Sequence, residues 1–213
     1  MVGVKYIYIY INMAYSIQGI INVDRLENIY TITLSQTNMG SAEDKFLNAF
    51  DKTMQEVLEG APIYDIVRLE SKNELNYQDG ENIAKHLTVM VTHLLLEGFA
   101  IYSLSVEDIY VINNSRYLFT NPHRCVPVTN AKRIIQPTDH AIGTYIAPEL
   151  VSLPERTPID RATSNWCIGA LLMQMLFKSQ EQSKLLQIKE TSLYYFIMRC
   201  LDKNVEFREV LYM

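Results

Sequence analysis

Trp166, Ile168, Leu171, Leu172, Met175 and Leu176 place apolar side chains on nearly every side of one helix. A helix without a polar face is unstable at a protein surface, so this one belongs at the centre of a domain, wrapped by other elements. A chain of 213 residues is long enough to supply that wrapping around a single core. The 48% hydrophobic and 20% charged content is that of a water-soluble globular protein. A formal charge of -5 gives no electrostatic reason to expect nucleic acid or an anionic membrane as the main partner. Cys125, Cys167 and Cys200 are odd in number and far apart, and His86, His93, His123 and His140 form no ligand motif. Neither a disulfide framework nor a metal site is expected, and a reducing intracellular compartment, cytoplasmic or nuclear, fits this usage.

The chain opens on Tyr6-Ile7-Tyr8-Ile9-Tyr10-Ile11, whose strict alternation is the pattern of a strand. Residues 6–23 carry no charge, but Asn12, Ser16, Gln18 and Asn22 interrupt the run, so a strand is expected and not a membrane span. Residues 17–23 and 28–34 read as two further short strands joined by a turn at 24–27. Ser41, with Asp44 three residues on, is placed to cap a helix whose apolar stripe is Phe46, Phe50, Met54, Val57 and Leu58. Gly60-Ala61-Pro62 should end that helix. Residues 63–77 read as an insertion-like segment. A second long helix is expected over 78–97, with Ile83, Leu87, Met90, Val91 and Leu94 inward and Gly98 as its stop. Residues 178–190 are mostly polar and expected to be mobile, with Leu185, Leu186 and Ile188 able to form a short packed turn, and 191–201 form a last amphipathic helix.

Two short stretches carry the most specific pattern. Residues 143–149 read Gly-Thr-Tyr-Ile-Ala-Pro-Glu, and they are followed by Ser164-Asn165-Trp166-Cys167-Ile168-Gly169. Together they resemble the end of the activation segment of a eukaryotic protein kinase and the buried helix that anchors it. In that family the Glu of Ala-Pro-Glu pairs with an Arg near the end of the domain. Residues 200–208 resemble that terminal segment, so the resemblance implies a buried ion pair between Glu149 and Arg208. It also implies an α+β fold: a mainly α-helical, kinase C-lobe-like domain over 41–213, preceded by vestigial N-lobe strands and a hinge-like turn over 1–40.

The positions that perform chemistry in that family are changed. Ile101-Tyr102-Ser103 replaces the His-Arg-Asp of the catalytic loop, so Ser103 stands where the base should be. A serine hydroxyl is uncharged and a very weak base. Asp108 takes the place of the metal-binding Asn, a change that by itself still permits Mg²⁺ binding. Asn121-Pro122-His123 falls near the place of Asp-Phe-Gly, so an amide replaces the principal metal carboxylate. Ser164 replaces the Asp that braces the catalytic loop through backbone hydrogen bonds, a change that fits a loop no longer held in catalytic geometry. No Gly-x-Gly-x-x-Gly occurs to cradle phosphate.

The resemblance therefore implies a pseudokinase: no catalytic residue, no cofactor, no metal, and a role as scaffold or regulator through binding another protein. Residues 63–77 and 122–142 are the expected docking surfaces. The alternative is a residual nucleotide-binding or phosphotransfer enzyme with a rearranged metal site, using Asp108 and a second carboxylate such as Asp139.

Overall fold

The computed structural model describes residues 11–17, 21–26, 29–34, 42–72, 74–128, 144–152, 159 and 161–208. The fold is α+β, built from helices and small antiparallel sheets. It begins with a meander of β1 (Ile11–Ile17), β2 (Ile21–Leu26) and β3 (Ile29–Leu34). In the β2–β3 hairpin Ile21 faces Leu34, Val23 faces Ile32 and Leu26 faces Ile29. Val23 and Ile32 are opposite each other and buried, so one face of the sheet joins the core. The expected strand over 17–23 spans what is in fact the end of β1 and the start of β2, and Asp24, Arg25 and Leu26 belong to β2 and not to a turn. Of the Tyr/Ile repeat, all but Ile11 lies outside the described residues.

Helix α1 (Ala42–Leu58) buries Phe46, Phe50, Met54, Val57 and Leu58 as its periodicity requires. The chain leaves the helix through Glu59 (φ 52°) and Gly60 (φ 74°), a left-handed exit that glycine accommodates without strain. Ser41, the expected cap, lies outside the described residues. The segment after α1, read as insertion-like, is packed into the fold. Its β4 (Ile66–Arg68) becomes the edge of a three-stranded sheet, and Ile63, Ile66 and Leu69 are buried. A strand of three residues is too short to show a period, which hid it in the sequence.

Helix α2 (Tyr77–Leu96) starts at a reciprocal capping box. Asn76 Oδ1 accepts from the Asp79 N–H at 2.9 Å, and Asp79 Oδ2 accepts from the Asn76 N–H at 3.1 Å. Beyond Gly98 (φ 81°) the chain folds into short strands: β5 (Phe99–Ile101), β6 (Ser103–Ser105), β7 (Ile109–Ile112), β8 (Arg116–Phe119), β9 (Cys125–Pro127) and β10 (Thr144–Ile146). These pair as β4–β7–β8, β5–β9 and β6–β10, all antiparallel. Asn113, at the β7–β8 turn, ties the sheet to the chain before β4. Its Oδ1 accepts from the Tyr64 and Asp65 N–H groups at 2.7 and 3.1 Å, and its Nδ2 donates to Pro62 O at 2.8 Å.

The chain then forms α3 (Pro148–Ser152), α4 (Arg161–Phe177) and α5 (Ser192–Cys200). Helix α4 is the central element. It packs against α2, α5, β5, β6 and β10, and Ile168, Leu171, Leu172 and Met175 are buried. Trp166 is half-buried and packs against both of the apolar clusters, one of them formed by Ala100, Tyr102, Val126, Ile146, Ala147, Leu150 and Ile159. At Gly169 α5 comes close, since a Cβ there would lie 2.6 Å from Cys200 Cβ. Between α4 and α5 a 3₁₀ turn, Gln182–Ile188, buries Leu185 against the core while Leu186 points outward, so part of the segment expected to be mobile is packed. Among the described residues no helix is long and apolar enough to cross a membrane.

Candidate functional site

Ser103, Asp108 and Asn121 converge, although they come from different elements. Ser103 begins β6, and a 3₁₀ turn (Val106–Asp108) follows that strand. The turn reverses the chain so that the Ser105 N–H donates to Asp108 Oδ2 at 3.0 Å. The end of β8 is held to the same place, because Thr120 donates to Asp108 O through its N–H (2.9 Å) and its hydroxyl (3.1 Å). Asn121 then donates from Nδ2 to Asp108 Oδ1 at 2.6 Å. Its own Oδ1 accepts from the His123 N–H at 3.0 Å, which caps a 3₁₀ turn over Pro122–Arg124.

That turn delivers a cation. Arg124 Nε lies 3.4 Å from Asp108 Oδ2, and Arg124 Nη1 donates to Ser103 Oγ at 3.2 Å. Its carbonyl accepts from the Tyr102 N–H at 3.1 Å, tying the turn back to the segment before β6. Ser103 is fully buried and Asp108 is 6% exposed. Burial pushes the Asp108 carboxyl above its ordinary range, against the opposing pull of the Asn121 hydrogen bond, the Arg124 charge and the Ser105 N–H. Burial likewise raises the neighbouring Cys125 thiol, with the Asp108 charge adding to the effect, so this cysteine is a poor nucleophile.

Chemically, the cluster is a closed polar knot. One carboxylate accepts from an amide and a backbone N–H and is ion-paired with a guanidinium, and the nearby hydroxyl is held by the same guanidinium. Arg124 was not singled out in the sequence, although Asn121-Pro122 is a cap followed by proline at the first helical position and so signals the start of a turn. Among the described residues no group of three or more His, Cys, Asp or Glu is placed to hold a metal ion. Asp139, the suggested second carboxylate, lies outside the described residues, as does the expected docking segment beyond Val128.

Two supports hold the site from behind. Ser164 Oγ, near the start of α4, accepts from the Ile101 N–H at 2.9 Å and donates to Ile101 O at 3.0 Å. A serine at 164 was expected to accompany a released loop, yet its hydroxyl holds both backbone groups of Ile101. It can do so because α4 packs directly on β5. Farther back, Arg208 Nη1 donates to Glu149 Oε1 at 2.6 Å, with side chains 1% and 14% exposed. Arg208 also donates from Nε to Asp202 O at 2.7 Å, and its carbonyl accepts from Asn165 Nδ2 of α4 at 2.6 Å.

A scan of protein-family models finds none that matches this chain, and a search of curated proteins finds no match either.

Proposed function

We propose that this chain is a catalytically inactive protein-kinase-like protein that acts as a scaffold or regulator by binding another protein. The observation that carries this reading is the coordination of Asp108. Its carboxylate already accepts from Asn121 and from the Ser105 N–H and is paired with the Arg124 charge, beside a Ser103 hydroxyl held by the same arginine. Phosphoryl transfer depends on a positioned base and on cations that neutralise the phosphate. Ser103 is too weak a base, and Asp108 is closed in by the protein's own donors.

The structural side of the resemblance supports the same reading. The Glu149–Arg208 pair is made, and Ser164 braces Ile101 in the way the family's Asp braces its catalytic loop. A chain that keeps its supports while its reacting positions lose their chemistry is suited to present a surface. The surfaces proposed for the protein partner are residues 63–77 and 122–142, where Tyr64, Pro127 and Val128 are exposed. Incubation with γ-labelled ATP, Mg²⁺ or Mn²⁺ and a general protein substrate is expected to transfer no label above that seen with a heat-denatured sample. Transfer that Asp108→Ala abolishes would replace this reading with that of an enzyme using a rearranged metal site.

A further inference from the structure

The end of α1, the middle of α2 and the β7–β8 turn line an open pocket of about 290 Å³ that shares no residue with the Asp108 cluster. The wall formed by α2 and β8 carries Lys85, His86 and Arg116, and the wall formed by the end of α1 carries Glu56 and Glu59. His86 is 8% exposed, and its Nδ1 accepts from the Tyr117 N–H at 3.2 Å. That bond assigns the neutral ring's proton to Nε2, on the opposite edge. Among the described residues Nε2 has no hydrogen-bond partner. Burial, with the positive charges of Lys85 and Arg116, pushes His86 down to about 4, so the ring is a neutral donor near pH 7. Arg116 is fixed by its Nε, which donates to Val57 O at 3.0 Å.

The opposite wall has the complementary chemistry. Glu59 is exposed and makes no ion pair among the described residues, whereas Glu56 is held by His93 Nε2 at 3.0 Å. Helix α1 has no basic residue in its last turn, so the negative end of its dipole adds to the pull on a cation there. Two cations and a neutral N–H donor thus share the pocket with two carboxylates. This balance disfavours a polyanion and matches a ligand with one charge of each sign. The volume lies just below the range of drug-sized ligand sites, about 300–1,000 Å³, and suits an amino acid better than a nucleotide.

We infer that this cavity binds a small zwitterion of the free amino acid class, its carboxylate facing His86 Nε2, Lys85 and Arg116 and its ammonium group facing Glu59. This site stands apart from the kinase resemblance and does not rest on it.

The test is the melting temperature of the full chain with each common amino acid at about 10 mM, beside acetate and methylammonium as the separated halves. At least one amino acid is expected to raise it by several degrees once its concentration is about 100 times Kd, and neither half should do so. Lys85→Met and Glu59→Gln alter exposed side chains and should each weaken that ligand at least about tenfold by calorimetry, a loss of one charged contact. No shift with any amino acid overturns the inference. So does a shift that both variants leave intact, or one that acetate alone reproduces.

Discussion

Arg208 and Glu149 lie 59 residues apart in the chain and meet at 2.6 Å, with the guanidinium almost wholly removed from water. The pair ties the turn after α5 to the start of α3. Arg208→Leu leaves the Glu149 carboxylate without its cation and also strips the donor from Asp202 O. Breaking such a buried pair costs about 3–5 kcal/mol. Urea denaturation at pH 7 should show that loss, and an unchanged midpoint would contradict the structural role assigned to the pair.

Ser164→Ala removes the group that both donates to and accepts from the Ile101 backbone, inside the protein. An unsatisfied buried polar group costs about 1–3 kcal/mol, and the same denaturation experiment should report a loss in that range. Hydrogen exchange should also speed up at the Ile101 amide more than at the amides of α2. Equal exchange at Ile101 in variant and wild type would show that the hydroxyl braces nothing.

Arg124→Met should have an effect that depends on pH. The Asp108 pKa is already raised in the folded protein, mainly by burial, and Arg124 opposes that rise. A carboxyl with a raised folded pKa binds protons more readily when folded, so its effect on stability worsens as pH rises above the unfolded carboxylate range. Removing Arg124 lifts the folded value further and enlarges that loss. The variant should be about 1.5–3 kcal/mol less stable at pH 7, the scale of a hydrogen bond to a charged group. The difference should shrink as pH falls toward 4. A difference that grows toward acid pH would show that Arg124 does not act on an ionised Asp108.

Gly169 and Gly80 provide a packing comparison. A Cβ at Gly169 meets Cys200 Cβ at 2.6 Å, an atom fixed close to its backbone. At Gly80 the contacts are the ends of Leu176 and Leu193 at 2.9 Å, which can turn aside. Overpacking costs about 1–3 kcal/mol, and Gly169→Ala should lie at the upper end with Gly80→Ala below it. The reverse order in thermal unfolding would contradict the packing of α5 on α4.

What the sequence made legible follows from which forces act locally. The stripes of α1 and α2 and the all-round apolar character of α4 are periodic, so the helices were readable to within a few residues. In the N-terminal part Ile17, Ile20, Ile21 and Val23 read as one apolar run, and Gln18-Gly19 within it was passed over although glycine is a turn signal. The strand β4 was hidden because three residues carry no period and its pairing partner, β7, is far along the chain. The Glu149–Arg208 contact was readable only through the likeness of two motifs, since no local pattern links them. Arg124 was missed because its role depends on a 3₁₀ turn that brings it to Asp108. His86 was equally hidden, since a histidine on an apolar helix face looks the same whether or not a cavity opens beside it.

The central claim is that the Asp108 cluster is closed and binds no metal–nucleotide complex. Its most direct test is the melting temperature with millimolar ATP in the presence of Mg²⁺, of Mn²⁺ and of EDTA. A ligand at about 100 times its Kd stabilises by about 2.7 kcal/mol, several degrees for a domain of this size. The account predicts the same melting temperature under all these conditions. A metal-dependent rise that Asp108→Ala abolishes would contradict it.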